Sequence, residues 1–376
     1  MADVFDSVYG QPKVREFLRS TIQEGRVSHA YLFTGQAGSN KTIAAYAFAQ
    51  AIICPDNGCG SCDDCKRAKR RKHPDIHYVA PEGADGYLVQ QIREVVADSA
   101  LAPIRAARKV YIIDRVDRLG VHAANAFLKT LEEPPDDVVM ILLGRTRDSV
   151  LPTIVSRCQV VPFRQIPAKE AVGIVVQNTG TTPDKAAAAV QACGGSISRA
   201  TEFIRSPERM AYRKRVLEIL GLLASADDLD IMGYARELIK MADAPLDGVR
   251  KELRQEMEAN AEYLASGALR RVEQRNKNVV NRKARQYLRQ TTDIIRSWLR
   301  DVLMIVSNSP SLVINTDAME TLHATATNTK APCVCRALRA VDETDEALTY
   351  NVSPETCLDV LLLDIREALY GTCCIS

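Results

Sequence analysis

The chain lacks any apolar stretch approaching the roughly 20 residues that a membrane span requires. Its opening residues, Met1-Ala2-Asp3-Val4-Phe5-Asp6, carry neither a basic region nor a long apolar run, so no secretory leader is expected. It also lacks a charge of one sign: 49 Lys and Arg stand against 47 Asp and Glu, and the formal net charge of +2 by itself implies no nucleic-acid partner. Cysteine is present in quantity, eleven in 376 residues. In a chain without a leader these do not read as a secreted disulfide framework, and metal ligation is the better account. A cytoplasmic protein of two or three domains is expected, with 46% hydrophobic and 26% charged residues, ordinary for a globular chain.

Two smaller absences carry more chemistry. Gly35-Gln36-Ala37-Gly38-Ser39-Asn40-Lys41-Thr42 is a phosphate-binding loop in which Asn40 stands where a glycine should precede the lysine. Its context is right: a strand-like run, Ala30–Phe33, leads in, and an alanine-rich helical segment from Ile43 to Ile53 leads out. Backbone N–H groups and a helix N-terminus must converge on the phosphates, which is why the motif needs that strand–loop–helix setting. The second absence follows Val110-Tyr111-Ile112-Ile113-Asp114, a buried-type strand ending in a carboxylate suited to Mg²⁺. Arg115 occupies the next position, where a hydrolytic site needs a group that accepts a proton from water. A guanidinium stays charged and cannot do so. Asn tolerates positive φ better than other non-glycine residues, and Lys41 and Thr42 are retained, so nucleotide binding is left open. ATP and Mg²⁺ binding are expected to be weak or absent.

Cys54, Cys59, Cys62 and Cys65 have the spacing C-x4-C-x2-C-x2-C, with Gly58, Gly60 and Ser61 allowing tight turns. Four thiolates make a closed tetrahedral Zn²⁺ site with no open position for water, so a structural zinc is expected, stapling an insertion too small to build its own core. A basic run follows, Lys66, Arg67, Lys69, Arg70, Arg71 and Lys72. No aromatic residues interleave to stack on bases, which favours a solvated surface that offsets the thiolate charge. Cys333, Cys335, Cys373 and Cys374 are too scattered for a second zinc site and are expected as free thiols.

Strand and helix signals alternate through the first half, as in a parallel sheet with crossover helices. Strands are expected at Ile76–Val79, Val110–Asp114, Val138–Leu143 and Gln159–Phe163, and helices at Tyr87–Ala100, His122–Glu133 and Val150–Ser156. From Glu208 onward the pattern is long and amphipathic, with Ile294, Ile295, Trp298, Leu299, Val302, Leu303 and Ile305 on one apolar face. Arg270, Arg271, Arg275, Lys277, Arg282, Lys283, Arg285 and Arg289 make that helix basic, read as a solvated face. Thr316 to Lys330 reads as a polar loop or weak helix, and a last helix follows Ser353-Pro354.

Ala124-Asn125-Ala126-Phe127-Leu128-Lys129-Thr130-Leu131-Glu132-Glu133-Pro134-Pro135 resembles the signature of bacterial clamp-loader subunits of the AAA+ class. So do Leu151–Cys158 with its Ser156-Arg157-Cys158, the opening Tyr9-Gly10-Gln11, Ser28–Phe33, the cysteine module and His73-Pro74-Asp75. The resemblance is dense over 5–163 and thins beyond, where Gly194-Gly195-Ser196 and Arg199-Ala200 resemble the sensor region of the lid. It implies an AAA+ P-loop α/β sheet domain at 1–163 with the zinc module at 54–65, a helical lid at 164–206, and an all-α collar at 207–376. It further implies a degenerate nucleotide site of Gly35, Gly38, Asn40, Lys41, Thr42, Asp114 and Arg199, with Arg157 as an arginine finger reaching a neighbour's γ-phosphate. The implied partners are gamma/tau and delta clamp-loader subunits, and, through the assembled loader, the sliding clamp and primed DNA. ATP-hydrolysing members would keep Gly at 40 and Glu at 115, so the chain reads as a non-catalytic subunit. An active ATPase is the alternative, and a zinc-containing nucleic-acid-binding module a weaker one. Glu132 and Glu133 are expected to be structural.

Overall fold

The computed structural model describes residues 3–83, 86–260, 266–348 and 352–371. The chain divides into two compact units, one of 1–174 with 195–198 and one of 175–194 with 199–376.

The first unit is built on five parallel strands, β1 (Ala30–Thr34), β2 (Ile76–Val79), β3 (Lys109–Ile113), β4 (Val138–Gly144) and β5 (Gln159–Pro162), in the order β2-β3-β4-β1-β5. β1, β3 and β4 are buried along their whole length, which is why they read as continuous apolar runs rather than as alternations. Their side chains still sort by the period of two. Tyr31, Phe33, Val110, Ile112, Val139, Ile141 and Leu143 enter one core, where Phe48 and the alanines of the Lys41–Ile53 helix pack. Leu32, Tyr111, Ile113, Met140 and Leu142 enter the other, against Ile92, Phe127 and Leu131. The alanine-rich helix is explained by this burial, since small side chains let it lie close on the sheet. This is the parallel α/β sheet expected, with element ends within one or two residues of those read from the sequence.

The order of strands positions the site. β4 lies between β1 and β3, so the loop leaving β1 and the carboxylate at the end of β3 flank the same strand.

The second unit is helical. Its core gathers Trp298, Ile294, Ile295, Leu299 and Val302 from Ser266–Val306 with Leu358, Leu361, Leu362 and Ile365 from Pro354–Tyr370. Leu303 and Ile305 are partly buried against it, so the expected apolar face is present. Of the loop or weak helix expected at Thr316–Lys330, the helix is what forms: Met319–Thr327 is α-helical and seated through Leu322 and Thr325. Cys333 is a correction, being disulfide-bonded rather than free, whereas Cys335 is free and exposed. Cys373 and Cys374 lie outside the described residues, as do the side chains of Arg270, Arg271, Arg275, Arg282, Lys283 and Arg285. No helix among the described residues is long and apolar enough to cross a membrane.

Candidate functional site: a degenerate phosphate loop, a cysteine cluster and Arg157

The loop after β1 keeps the P-loop path despite its missing glycine. Gly35 admits no side chain, because a Cβ there would stand 2.8 Å from the Phe163 Cβ and 2.9 Å from the Phe163 carbonyl oxygen. Gly38 takes φ 82°, and Asn40 takes the left-handed conformation at φ 66° that a glycine would otherwise supply. The Asn40 amide donates to Tyr9 O at 3.2 Å, one local compensation for the missing glycine. Gln11 completes the brace: its Nε2 donates to Ser39 O at 3.0 Å and to Arg164 O at 2.7 Å, and its Oε1 accepts from Arg164 N at 3.2 Å. Tyr9 and Gln11 belong to the opening motif, yet nothing in their spacing announces that they hold the loop.

Lys41 and Thr42 open the Lys41–Ile53 helix. The Lys41 ammonium donates to the loop's own carbonyls, Gly35 O at 2.5 Å and Gln36 O at 3.1 Å. Burial lowers its pKa; the carboxylates of Asp114 and Asp117 oppose that shift, and Arg145 adds to it. The site thus gathers Gly35, Gly38, Asn40, Lys41, Thr42 and Asp114. Arg199 belongs to the second unit, where its Nη2 donates to Cys193 O at 2.7 Å.

The carboxylate that would face Mg²⁺ is engaged. Tyr78 donates its hydroxyl to Asp114 Oδ2 at 2.6 Å, and the Tyr87 hydroxyl donates to Asp114 O. Tyr78 is itself stacked on Tyr46, ring centroids 5.9 Å apart, and the Arg71 guanidinium lies 4.5 Å over the Tyr46 ring. Arg115 follows in the left-handed region at φ 54°. With a phenol on the metal-facing carboxylate and a fixed cation in the next position, these residues do not fit a hydrolytic Mg²⁺–ATP centre.

The four cysteines converge as their spacing implies, with ligand atoms all within 4.8 Å of one another. Cys54 Sγ lies 3.7 Å from Cys59 Sγ and 3.8 Å from Cys62 Sγ. A tetrahedron with Zn–S distances of about 2.3 Å has edges of about 3.8 Å, so the cluster fits that ion. Backbone N–H groups of Cys59, Cys62 and Cys65 donate to the Sγ atoms of Cys54, Cys59 and Cys62 at 3.4, 3.4 and 3.3 Å. Such donors stabilise thiolates: those from Ser61 and Cys62 bring Cys59 down to about 6, whereas burial pushes Cys65 up to about 12.

Arg157 sits just after the short Pro152–Val155 helix and is one-third exposed. Its Nη1 donates to Thr153 O at 2.7 Å and to Ser156 Oγ at 3.3 Å, and its Nη2 donates to Glu132 Oε1.

Residues 10–167 match the family described as "DNA polymerase III, delta subunit". Over 360 residues the chain is 27% identical to DNA polymerase III subunit delta' of Bacillus subtilis, a match that covers 95% of this chain and 96% of that one. The chain is similar to the delta' subunit along nearly its whole length. DNA polymerase III subunit tau of Bacillus subtilis is 37% identical over 173 residues, 45% of this chain, but the match spans only 30% of tau. A gamma subunit-related protein of Thermotoga maritima covers 93% of this chain and 98% of its own at 18% identity, with a TM-score of 0.46. The match to delta' spans nearly all of both chains, and the match to tau only part of each.

Proposed function

We propose that the protein is a delta'-like, non-catalytic subunit of a DNA polymerase III clamp loader. The observation that carries this is the likeness to a delta' subunit across 96% of that subunit's length. Arg115 and the Tyr78–Asp114 hydrogen bond support the non-catalytic part. In this reading the subunit is cytoplasmic and assembles with gamma/tau and delta. The sheet domain, a lid at 164–206 and a collar at 207–376 divide the work, and the loader so formed places a sliding clamp on primed DNA. Zinc in the Cys54–Cys65 cluster staples the insertion and takes no part in chemistry. Arg157 supplies a guanidinium to an ATP site whose phosphate loop belongs to the adjacent subunit.

The test is turnover. The isolated chain is expected to hydrolyse no ATP above background, and addition of gamma/tau and delta to give DNA-stimulated hydrolysis. Robust turnover by the pure chain, abolished by Lys41→Ala, would show an ATPase in its own right.

A further inference from the structure

A guanidinium has five N–H donors. In Arg157 both hydrogens of Nη1 are accounted for by Thr153 O and Ser156 Oγ, and one of Nη2 by the Glu132 carboxylate. Nε is buried and has no hydrogen-bond partner. Two N–H groups remain, the buried one on Nε and one on Nη2, so a single accessible donor is left where planar recognition of a phosphate takes two in parallel. The pose seen in the single chain is therefore one that cannot fork onto a phosphate.

We propose that Glu132 parks Arg157: its carboxylate occupies the guanidinium edge that a neighbour's phosphate takes, and the finger is delivered by exchanging one anion for the other. The inference rests on the reading of Arg157 as a finger in trans. Glu132 ends the Val121–Glu132 helix, where a carboxylate meets the negative pole of the helix and is held at a disadvantage unless a cation joins it. Arg157 is that cation. The pair is easily parted, because Glu132 is 47% exposed and Arg157 31% exposed, and ion pairs so placed are weak. The unpartnered Nε adds a cost to the parked pose that a different rotamer relieves. Thr153 O and Ser156 Oγ hold Nη1, so presenting two parallel donors takes a change of rotamer that releases these contacts together with the Glu132 carboxylate.

The experiment uses the assembled loader carrying the wild-type chain, Glu132→Gln, Arg157→Ala or both, with kcat/KM for ATP measured without DNA. Gln keeps the length of the side chain and an acceptor oxygen but removes the charge. Glu132→Gln is expected to raise kcat/KM by up to about 5-fold, the factor an exposed ion pair is worth. The same substitution is expected to change nothing further in the Arg157→Ala background. If Arg157→Ala is impaired while Glu132→Gln matches or falls below the wild type, parking is overturned and the finger stands. An effect of Glu132→Gln that persists without Arg157 also overturns it, since Glu132 then acts on its helix. If Arg157→Ala turns over as the wild type does, the finger reading fails and parking fails with it.

Discussion

Asp75 is completely buried, and burial alone would push its carboxyl toward the neutral form. Three backbone N–H groups outweigh that: Ile104, Arg105 and Ala106 donate to its two oxygens at 2.6, 2.8 and 2.9 Å, and its pKa is lowered overall. The segment so held aims Arg105 at the cysteine module, where its Nε donates to Asp64 at 3.2 Å and its Nη2 to Asp63 at 3.1 Å. His73 joins from below, its Nδ1 accepting from Asp75 N at 3.1 Å. Asp75→Asn is expected to destabilise the sheet unit by about 2–4 kcal/mol, because one oxygen becomes a donor facing donors. A folded-state pKa below the unfolded value contributes stability above about pH 4 that is lost as pH falls through the folded value. The urea midpoints of wild type and Asp75→Asn, well apart at pH 7, should therefore converge in acid; a constant gap would show that the charge is not what matters. His73-Pro74-Asp75 is visible in the sequence as a motif, but its role is not, because the groups Asp75 serves lie 29 to 31 residues away.

Elements were more legible than single residues, for a physical reason. β1, β3 and β4 are buried on both faces, so apolar runs mark them without ambiguity, and the Pro134-Pro135 pair lies just beyond the helix that ends at Glu132. Met319–Thr327 was legible only as a loop or weak helix, because its threonines carry little apolar signal and its seat is provided by distant helices. Glu132, expected to be structural, proved to contact Arg157, a pairing across 25 residues that no local pattern encodes. The cysteine module was legible because its ligands are local. Cys54 is the residue at which the Lys41–Ile53 helix ends, and the Asp63–Lys69 helix begins from Cys62, whose Sγ accepts from Cys65 N. One Zn²⁺ per chain is expected from elemental analysis of protein purified without chelator. Cys62→Ser should abolish it and expose the 54–72 segment to protease while the sheet core keeps its far-ultraviolet signal, since the module has little core of its own. Metal-free wild-type protein with a protease-resistant module would contradict the assignment.

At the scale of the whole molecule, the contrast is between a phosphate loop turned in on itself and an arginine near the surface. Lys41 satisfies its ammonium on the loop carbonyls, Tyr78 holds Asp114, and a fixed cation, Arg115, follows that carboxylate. Arg157 instead is held through backbone and hydroxyl contacts at one end and an exposed carboxylate at the other. In the proposed reading the chain contributes to turnover across an interface, where a guanidinium stabilises charge on the transferring phosphoryl group. Removal of such a finger costs on the order of 10³–10⁵ in rate at the site it completes, and proportionately less in the total of a loader with several sites. Arg157→Ala is expected to leave folding, zinc content and subunit assembly unchanged while lowering DNA-stimulated hydrolysis and clamp loading. Arg157→Lys should recover little of either, because a point charge has no planar fork to lay on a phosphate. If lysine restores full loading, Arg157 acts only through its charge, and the directional contact proposed here is wrong.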